Sequence, residues 1–372
     1  MTDNRYGIYI HIPFCKARCG YCAFSSCTDF AIVNRYFDKL FEEIAYYGDK
    51  SVEISTVYIG GGTPSSVDKN LLNDLFDQLN AHFDLSKVVE ITVECNPEST
   101  TEELLRCLKG NGVNRLSFGL QSVNDATLKR IGRLHDYKQF EKALNLAHKL
   151  GFENINADLI VGLPETKEEF YRSVEVVSAL NLQHVSVYAL ELHEGTPLYQ
   201  LCKATYPFED DELTDMYDAA CGTLTKCGLV RYEISNFAQV GRESKHNLNY
   251  WREGRYFAFG ASASGFVGDV RYTNPYDIKT YLATPTKILH NDCERVTNDE
   301  QANEFVMLGL RLIEGVSMVE FAERYGADFF EFFPNTNKLV EQGLLQVDGG
   351  RVKVLTDKLY VVNSILVELL TI

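Results

Sequence analysis

The chain has 372 residues, of which 45% are hydrophobic and 24% are charged, as in an ordinary globular protein. Its formal net charge of -16 argues against general binding to nucleic acid or anionic lipid, because both need clustered Lys and Arg. We therefore expect no nucleic-acid partner and at most peripheral membrane association. The sequence shows neither a signal peptide nor a run of ~18 apolar residues, so the predicted location is cytoplasmic.

Over the first half of the chain, apolar segments typical of buried strands alternate with amphipathic helical segments. Strands are predicted at Tyr6–Ile12, Thr56–Ile59, Val88–Glu94, Arg115–Phe118, Asn154–Ile160 and His184–Ala189. Helices are predicted at Ala31–Tyr47, Lys69–Phe83, Thr101–Lys109, Tyr137–Leu150 and Lys167–Leu180. This alternation predicts an α/β fold with parallel strands and right-handed crossovers. Because it falls short of an eight-fold barrel, we predict a partial, open (β/α)6 barrel over residues 1–230.

The pattern changes after residue 230. Residues 231–298 begin with a stretch rich in Gly, Asn and aromatic residues that lacks clear periodicity, and we predict that they cover the barrel. Residues 299–372 are predicted to form a small winged-helix-like α+β domain. Its hairpin is predicted at residues 346–352, where Gly349 and Gly350 lie between β-forming residues.

Three of the ten cysteines, Cys15, Cys19 and Cys22, follow the first predicted strand with the spacing CxxxCxxC. Pro13 and Gly20 suit a loop that wraps a bulky group. Cysteine thiolates are the usual ligands of a [4Fe–4S] cluster, and three of them leave one iron open to a small molecule.

Three other interpretations of these cysteines remain open. A structural zinc site could use His11 as the fourth ligand. A closed iron–sulfur cluster could use Cys27. The cysteines could also be ordinary core thiols. Buried, unreactive thiols are the prediction for the six remaining cysteines, which are Cys95, Cys107, Cys202, Cys221, Cys227 and Cys293.

Polar or glycine-rich segments recur where predicted strands end. The run 60–64 (GGGTP) follows the second strand, Glu94 ends the third, Gln121 follows the fourth and Asp158 lies near the end of the fifth. Parallel α/β folds bind ligands at this edge. An Asp in an apolar strand is costly unless it is paired or contacts a ligand. Each feature alone could be structural, but together they predict one shared site.

The CxxxCxxC motif with an aromatic residue before its last cysteine, followed by GGGTP, resembles the radical SAM superfamily. The resemblance implies that the amine and carboxylate of S-adenosylmethionine bind the open iron, and that the reduced cluster cleaves this cofactor to a radical. From Tyr9 to Leu370 the chain resembles the coproporphyrinogen-dehydrogenase-like branch. That resemblance implies a cofactor site lined by Tyr9, Tyr21, Gly61, Gly62, Thr63, Glu94, Gln121, Arg133 and Asp158.

Two subgroups of this branch differ in sequence. The oxygen-independent coproporphyrinogen III oxidases have a longer N-terminal extension and a fourth cysteine two residues after the third, where this chain has Phe24. The HemW-type heme chaperones carry an HNxxYW motif, which residues 246–251 (HNLNYW) match. We therefore predict a chaperone that delivers heme to an apo-hemoprotein. A coproporphyrinogen oxidase or another tetrapyrrole-modifying radical enzyme is the alternative, so catalysis stays open, and an electron donor is an expected partner.

The HNxxYW segment also suggests a heme site. We predict that His246 is an axial ligand of heme iron and that Tyr250 and Trp251 pack on the macrocycle. His11 is a rival ligand, and the alternative role for His246 is an ordinary hydrogen-bonding one. The surrounding stretch has a net charge of +2 that suits propionates, from Arg242, Lys245, Arg252 and Arg255 against Glu243 and Glu253.

Overall fold

The computed structural model describes residues 5–203 and 206–370. Its centre is a run of six strands, each parallel to the next. They are β1 (Tyr6–Ile12), β2 (Ile54–Gly61), β3 (Glu90–Cys95), β4 (Arg115–Gln121), β5 (Ile155–Val161) and β6 (His184–Ala189). The predicted α/β fold with a partial, open barrel is confirmed, because these strands follow one another across the sheet and its two ends do not pair.

Helices follow the central strands and cover the outer face of the sheet. They are α1 (Val33–Tyr47), α2 (Lys69–His82), α3 (Glu102–Gly110), α4 (Asp125–Arg130), α5 (Tyr137–Lys149) and α6 (Lys167–Ala179). Their starts are set locally: Asp136 and Thr166 each form a capping box with the residue three positions on. No helix within the described ranges is long and apolar enough to cross a membrane.

The sheet extends beyond the six predicted strands. Further along the chain come helices α7 (Pro197–Cys202), α8 (Asp210–Lys226), α9 (Lys245–Trp251) and α10 (Ile278–Ala283). The added strands are β7 (Val230–Arg231), β8 (Asn236–Ala238), β9 (Tyr256–Phe259), β10 (Ser264–Val267), β11 (Val270–Thr273) and β12 (Cys293–Arg295). Strand β9 pairs in parallel with β1, and β8 pairs antiparallel with β6. Residues 231–298 thus supply strands to both edges of the sheet. The same segment contains the helices α9 and α10.

The C-terminal part has its own hydrophobic core, which runs from Ala302 to Leu369. Its helices are α11 (Asn298–Gly309), α12 (Met318–Tyr325), α13 (Phe329–Phe332), α14 (Thr336–Glu341) and α15 (Val362–Leu369). Its strands are β13 (Val316–Ser317), β14 (Leu345–Asp348) and β15 (Arg351–Val354), which form a separate antiparallel sheet. The predicted hairpin is confirmed, with Gly349 and Gly350 at positive φ in its turn.

Alternation along the strands separates the hydrophobic core from a polar barrel interior. In β4, Leu116, Phe118 and Leu120 belong to the core beneath the helices. Their neighbours point to the opposite face and line a cavity inside the barrel, namely Arg115, Ser117, Gly119 and Gln121. Strands β5 and β6 repeat the pattern, so the barrel encloses polar side chains and open space.

The six cysteines outside the loop after β1 differ in how deeply they are buried. Cys95 and Cys202 are buried, and Cys107 and Cys221 are half-buried. The prediction of burial is wrong for Cys227 and Cys293, which are exposed. Cys227 follows the last turn of α8, and Cys293 opens the edge strand β12, so neither faces a packed layer.

Candidate functional site

A cavity of about 600 Å³ lies inside the barrel and opens near the loop after β1. It brings together most of the residues that the sequence singles out. Those that line it are Cys15, Cys19, Tyr21, Cys22, Gly61, Gly62, Thr63, Glu94, Gln121, Arg133 and Asp158. The structure therefore brings these residues together around one cavity, and their roles as ligands stay a prediction.

Backbone hydrogen bonds hold the cysteine loop in place. The N–H of Cys15 donates to the Cys27 carbonyl at 2.9 Å, and the N–H of Cys27 donates to the Pro13 carbonyl at 2.7 Å. The N–H of Gly20 donates to the Ile131 carbonyl at 2.8 Å, which ties the middle of the loop to the end of α4. The loop is thus fixed at both ends and in the middle.

The donor set fits a cluster ligated by three thiolates. All three cysteines of the motif line the cavity, whereas Cys27 does not, and the Cys27 sulfur accepts from the Asp29 N–H at 3.4 Å. Burial raises the pKa of the Cys15 thiol to about 11, so a bound metal centre is what would stabilise its thiolate. Among the described residues, no three His, Cys, Asp or Glu side chains converge on a position for a single metal ion.

His11 does not face the cavity. Its Nε2 lies 3.1 Å from the Ser25 carbonyl oxygen, and its Nδ1 lies 3.0 Å from the Tyr9 hydroxyl oxygen. The residue is 5% exposed, and each ring nitrogen lies within hydrogen-bond distance of one of these partners. In this arrangement His11 supports neither the zinc alternative nor the alternative heme ligand.

The glycine run after β2 lets the backbone approach the loop and the cavity. Gly61 has φ of 105°, and a Cβ there would lie 2.4 Å from the His11 ring. A Cβ at Gly62 would lie 2.6 Å from the carbonyl carbon of Pro13. A side chain at either position would displace the loop that carries Cys15, which is a physical reason for these glycines.

Glu94 is held at the cavity wall as a hydrogen-bond acceptor. Its Oε1 accepts from the Tyr58 hydroxyl at 2.7 Å, and its Oε2 accepts from the Gly61 N–H at 3.0 Å. Burial raises the pKa of Glu94 to about 7 and also raises the pKa of Asp158, whose Oδ1 accepts from Asn156 Nδ2 at 2.7 Å. Two half-buried acids on the wall of one cavity suit ligand hydroxyl or ammonium groups.

Arg133 links the cysteine loop to the strand ends. Its Nη1 lies 3.6 Å from the Cys19 sulfur, and its Nη2 donates to Asn96 Oδ1 at 2.7 Å and to the Gly119 carbonyl at 2.5 Å. Gln121 has φ of 75°, a left-handed conformation that is uncommon outside glycine and typical of functional sites. A register shift between β4 and β5 accompanies it.

Several lining residues were not selected from the sequence. They are Tyr58, Asn96, Arg115, Ser117, Asn156, Ser186, Tyr188 and His193. Arg115 could have been selected from the sequence, because a charged residue within an apolar strand is costly unless it is paired or contacts a ligand, as argued for Asp158. The others carry no signal by themselves. Strand alternation places Tyr58, Ser117, Asn156, Ser186 and Tyr188 inside once the barrel is known. Asn96 and His193 lie in loops after β3 and β6.

Four predicted cofactor residues do not line the cavity. Tyr9 packs beside Tyr58 with the ring centroids 6.2 Å apart. Tyr250 packs edge-on against Tyr256 with the centroids 4.6 Å apart. The indole nitrogen of Trp251 is buried without a hydrogen-bond partner among the described residues. None of these three side chains lines the cavity, and neither does that of His246.

His246 is a buried member of the structural network at the base of the barrel. It is 0% exposed, its Nδ1 lies 2.8 Å from Thr56 Oγ1, and its Nε2 lies 2.8 Å from the Tyr250 hydroxyl. Burial lowers its pKa to about 3. The backbone N–H groups of Lys245 and His246 both donate to Glu90, which anchors α9 to the start of β3. In this conformation His246 has no free ring nitrogen for heme iron.

Three of the basic residues around α9 lie near carboxylates. Arg252 pairs with Glu314 at 3.0 Å, Arg255 pairs with Glu253 at 3.2 Å, and Arg242 lies 4.0 Å from Glu153. Because Arg324 also lies 3.4 Å from Glu253 and Arg351 lies 3.6 Å from Glu314, the positive patch for propionates stays a prediction. The local sequence charge omits the acidic partners that the fold brings in from residues 153 and 314.

The sequence of the whole chain is similar to that of known proteins. Residues 9–177 match the Radical SAM superfamily, and residues 296–357 match the HemN C-terminal domain. The protein called heme chaperone HemW in Bacillus subtilis is 39% identical, over 91% of this chain and 92% of its own length. This chain belongs to the HemW family. The HemW of Escherichia coli is 33% identical, over 91% of each chain.

The HemW fold is shared with a solved enzyme structure. The coproporphyrinogen III oxidase HemN of Escherichia coli, described as a radical SAM enzyme, matches with a TM-score of 0.83 over 98% of this chain and 90% of its own. Its sequence identity is 23%, so this likeness concerns the fold. Membership of the HemW family, within the radical SAM superfamily, gives this chain a [4Fe–4S] cluster and S-adenosylmethionine as cofactors. The lining residues described above fit both.

We expect S-adenosylmethionine binding to depend on pH through Glu94. Ionised Glu94 is the form that accepts hydrogen bonds from the ligand, and its pKa is about 7. Affinity should therefore increase as the pH rises from about 6 to about 8. Glu94→Gln should remove this dependence and weaken binding by about 1–3 kcal/mol.

Titration of the reduced, cluster-loaded protein by paramagnetic resonance measures this affinity. Glu102→Gln on α3 is the matched control, since Glu102 is on the surface and pairs with Arg106 at 2.6 Å. A pH profile in Glu94→Gln identical to that of the unmodified protein would refute the role of Glu94.

Proposed function

We propose that this protein is a heme chaperone, which binds heme and transfers it to an apo-hemoprotein. The observation that carries the proposal is the similarity to proteins named heme chaperone HemW. The Bacillus subtilis protein is 39% identical over 91% of this chain. The HNxxYW segment supports it, and an apo-hemoprotein recipient and an electron donor for the cluster are the partners it implies.

The alternative function is oxygen-independent coproporphyrinogen III oxidation, or another radical modification of a tetrapyrrole. Phe24 argues against the oxidase, because it stands where the oxidases have a fourth cysteine. Phe24 is 69% exposed and lines the mouth of the cavity. This leaves an exposed aromatic side chain, in place of a thiol, beside the cluster loop.

The accessibility of the imidazoles supports a proposal for where heme binds. His193 is exposed and lines the cavity, whereas His246 is enclosed. Phe24 and Tyr188, 69% and 41% exposed, lie in the same lining and offer aromatic surface to a macrocycle. We propose His193 as the axial ligand in this conformation. His193 Nε2 lies 3.4 Å from Glu191, a contact that a bound iron would replace.

The proposed function is tested by heme transfer. Heme-loaded protein is mixed anaerobically with an apo-hemoprotein, and the Soret band of the recipient is followed while 5′-deoxyadenosine is quantified. We expect the recipient to gain heme without a matching amount of 5′-deoxyadenosine. No transfer, or transfer only in step with cofactor cleavage, would contradict a chaperone role.

A further inference from the structure

Thr63 donates a hydrogen bond to one of the three motif cysteines. The residue is 4% exposed, and its hydroxyl oxygen lies 3.4 Å from the Cys15 sulfur. On its other side the same hydroxyl accepts from Asn96 Nδ2 at 3.1 Å. A threonine hydroxyl carries a single proton, so the bond accepted from Asn96 leaves that proton for the sulfur.

Arg133 decides which end of the Asn96 amide faces Thr63. A guanidinium can only donate, and Nη2 of Arg133 lies 2.7 Å from Asn96 Oδ1. The amide oxygen of Asn96 is therefore committed to Arg133, and its amino group faces Thr63. The opposite orientation would set one donor against another. The direction of donation from Arg133 through Asn96 and Thr63 to Cys15 thus follows from the hydrogen-bonding capacity of these side chains.

A second contact joins Arg133 to the cysteine loop. Its Nη1 lies 3.6 Å from the Cys19 sulfur. One cation therefore acts on two of the three motif sulfurs, on Cys19 directly and on Cys15 through two intervening side chains. Asn96 and Thr63 both line the cavity beside the cysteines, so this hydrogen-bond chain runs along the wall that faces the cluster position.

We propose that this chain raises the reduction potential of the cluster, with Thr63 acting on Cys15 and Asn96 positioning Thr63. Reduction transfers one electron from an external donor to the cluster, which becomes more negative by one charge, while no bond breaks and no proton moves. A hydrogen-bond donor aimed at a ligand sulfur stabilises the added charge, and such bonds are among the factors that set cluster potentials. The inference rests on the cluster that family membership gives and not on heme transfer. It adds a redox role for Thr63 and a role for Asn96, which the sequence did not single out.

The test is a redox titration of the anaerobically reconstituted protein with dithionite and mediators, followed by paramagnetic resonance. S-adenosylmethionine is left out, so that changes in its affinity do not enter. In Thr63→Val, which keeps the shape of the side chain, the ratio of reduced to oxidised cluster at a fixed potential should fall about tenfold, a shift of about 59 mV for one electron. Thr63→Ser retains the hydroxyl and should titrate as the unmodified protein does.

Two further variants separate this role from a general disturbance of the loop. Ser66→Ala is the matched control, because the Ser66 hydroxyl donates to the carbonyl groups of Thr63 and Phe14 and contacts no sulfur. It should leave the potential unchanged. Asn96→Ala should lower the reduced fraction in the otherwise unmodified protein and have little further effect in Thr63→Val, because its effect passes through the Thr63 hydroxyl.

Iron content is measured before each titration, and every variant should keep about four irons per chain because the three cysteines are unchanged. Loss of the cluster in Thr63→Val would make Thr63 a residue of cluster assembly and overturn the proposal. An unchanged potential in Thr63→Val would also overturn it. So would a shifted potential in Ser66→Ala or in Thr63→Ser, or an effect of Asn96→Ala that is equally large with and without the Thr63 hydroxyl.

Discussion

Replacing Cys15, Cys19 or Cys22 with alanine is expected to reduce the iron content from about four atoms per chain to near zero. Each of the three thiols lines the cavity, and a cluster that loses one of its three protein ligands is held by only two. The loss should be complete for each single variant. Iron analysis and the visible absorption of anaerobically reconstituted protein measure it.

Cys27→Ala is the matched control for these three variants. Its sulfur is turned toward the Asp29 backbone, and its contribution to the loop is made by backbone groups that alanine retains. We expect Cys27→Ala to keep the full iron content and its response to S-adenosylmethionine. A variant lacking Cys27 that lost the cluster would show a closed, four-cysteine site.

The second large effect is expected from His246→Ala, and it concerns stability. The change leaves the hydroxyl groups of Thr56 and Tyr250 without their buried partner and opens a cavity beside the Tyr58 ring. The free energy of unfolding should fall by about 3 kcal/mol. Tyr250→Phe removes only one hydroxyl from this network and should cost about 1 kcal/mol. Chemical denaturation of the two variants measures the difference.

His193→Ala and His246→Ala together show which of the two histidines binds heme iron. If His193 is the axial ligand, His193→Ala should shift the Soret band and weaken heme retention, with the free energy of unfolding unchanged because the residue is exposed. His246→Ala should leave the Soret position of bound heme unchanged. A Soret shift in His246→Ala together with an unshifted band in His193→Ala would restore the axial role first predicted for His246.

The fold was predictable where the sequence has long periodic segments. The six central strands and the predicted helices α1, α2, α3, α5 and α6 agree with the structure to within three residues at each end. Strands β7 to β12 span only two to four residues each, too few to show an alternation. Strands β9 and β8 join the sheet by pairing with β1 and β6, which are distant in the sequence, so tertiary contacts decide where they lie.

The site was predictable to the extent that its residues follow strands. Cys15 was selected from the CxxxCxxC motif, and Glu94 and Asp158 were selected because the ends of parallel strands meet at one edge. The burial of His246 could not be predicted from the sequence around α9, which is rich in basic residues. Its burial follows from Glu90 and Thr56, which hold α9 against the base of the barrel from more than 150 positions away. No local pattern reports such a contact.

The most direct test of the central claim is product analysis with coproporphyrinogen III. The cluster-loaded protein is incubated anaerobically with this substrate, a reductant and excess S-adenosylmethionine, and the porphyrinogens are quantified after oxidation. A protein that handles heme as a chaperone, with Phe24 beside the cluster loop, should leave coproporphyrinogen unchanged over many hours. Steady formation of protoporphyrinogen, with 5′-deoxyadenosine released in proportion, would contradict the account and make the protein a decarboxylating oxidase.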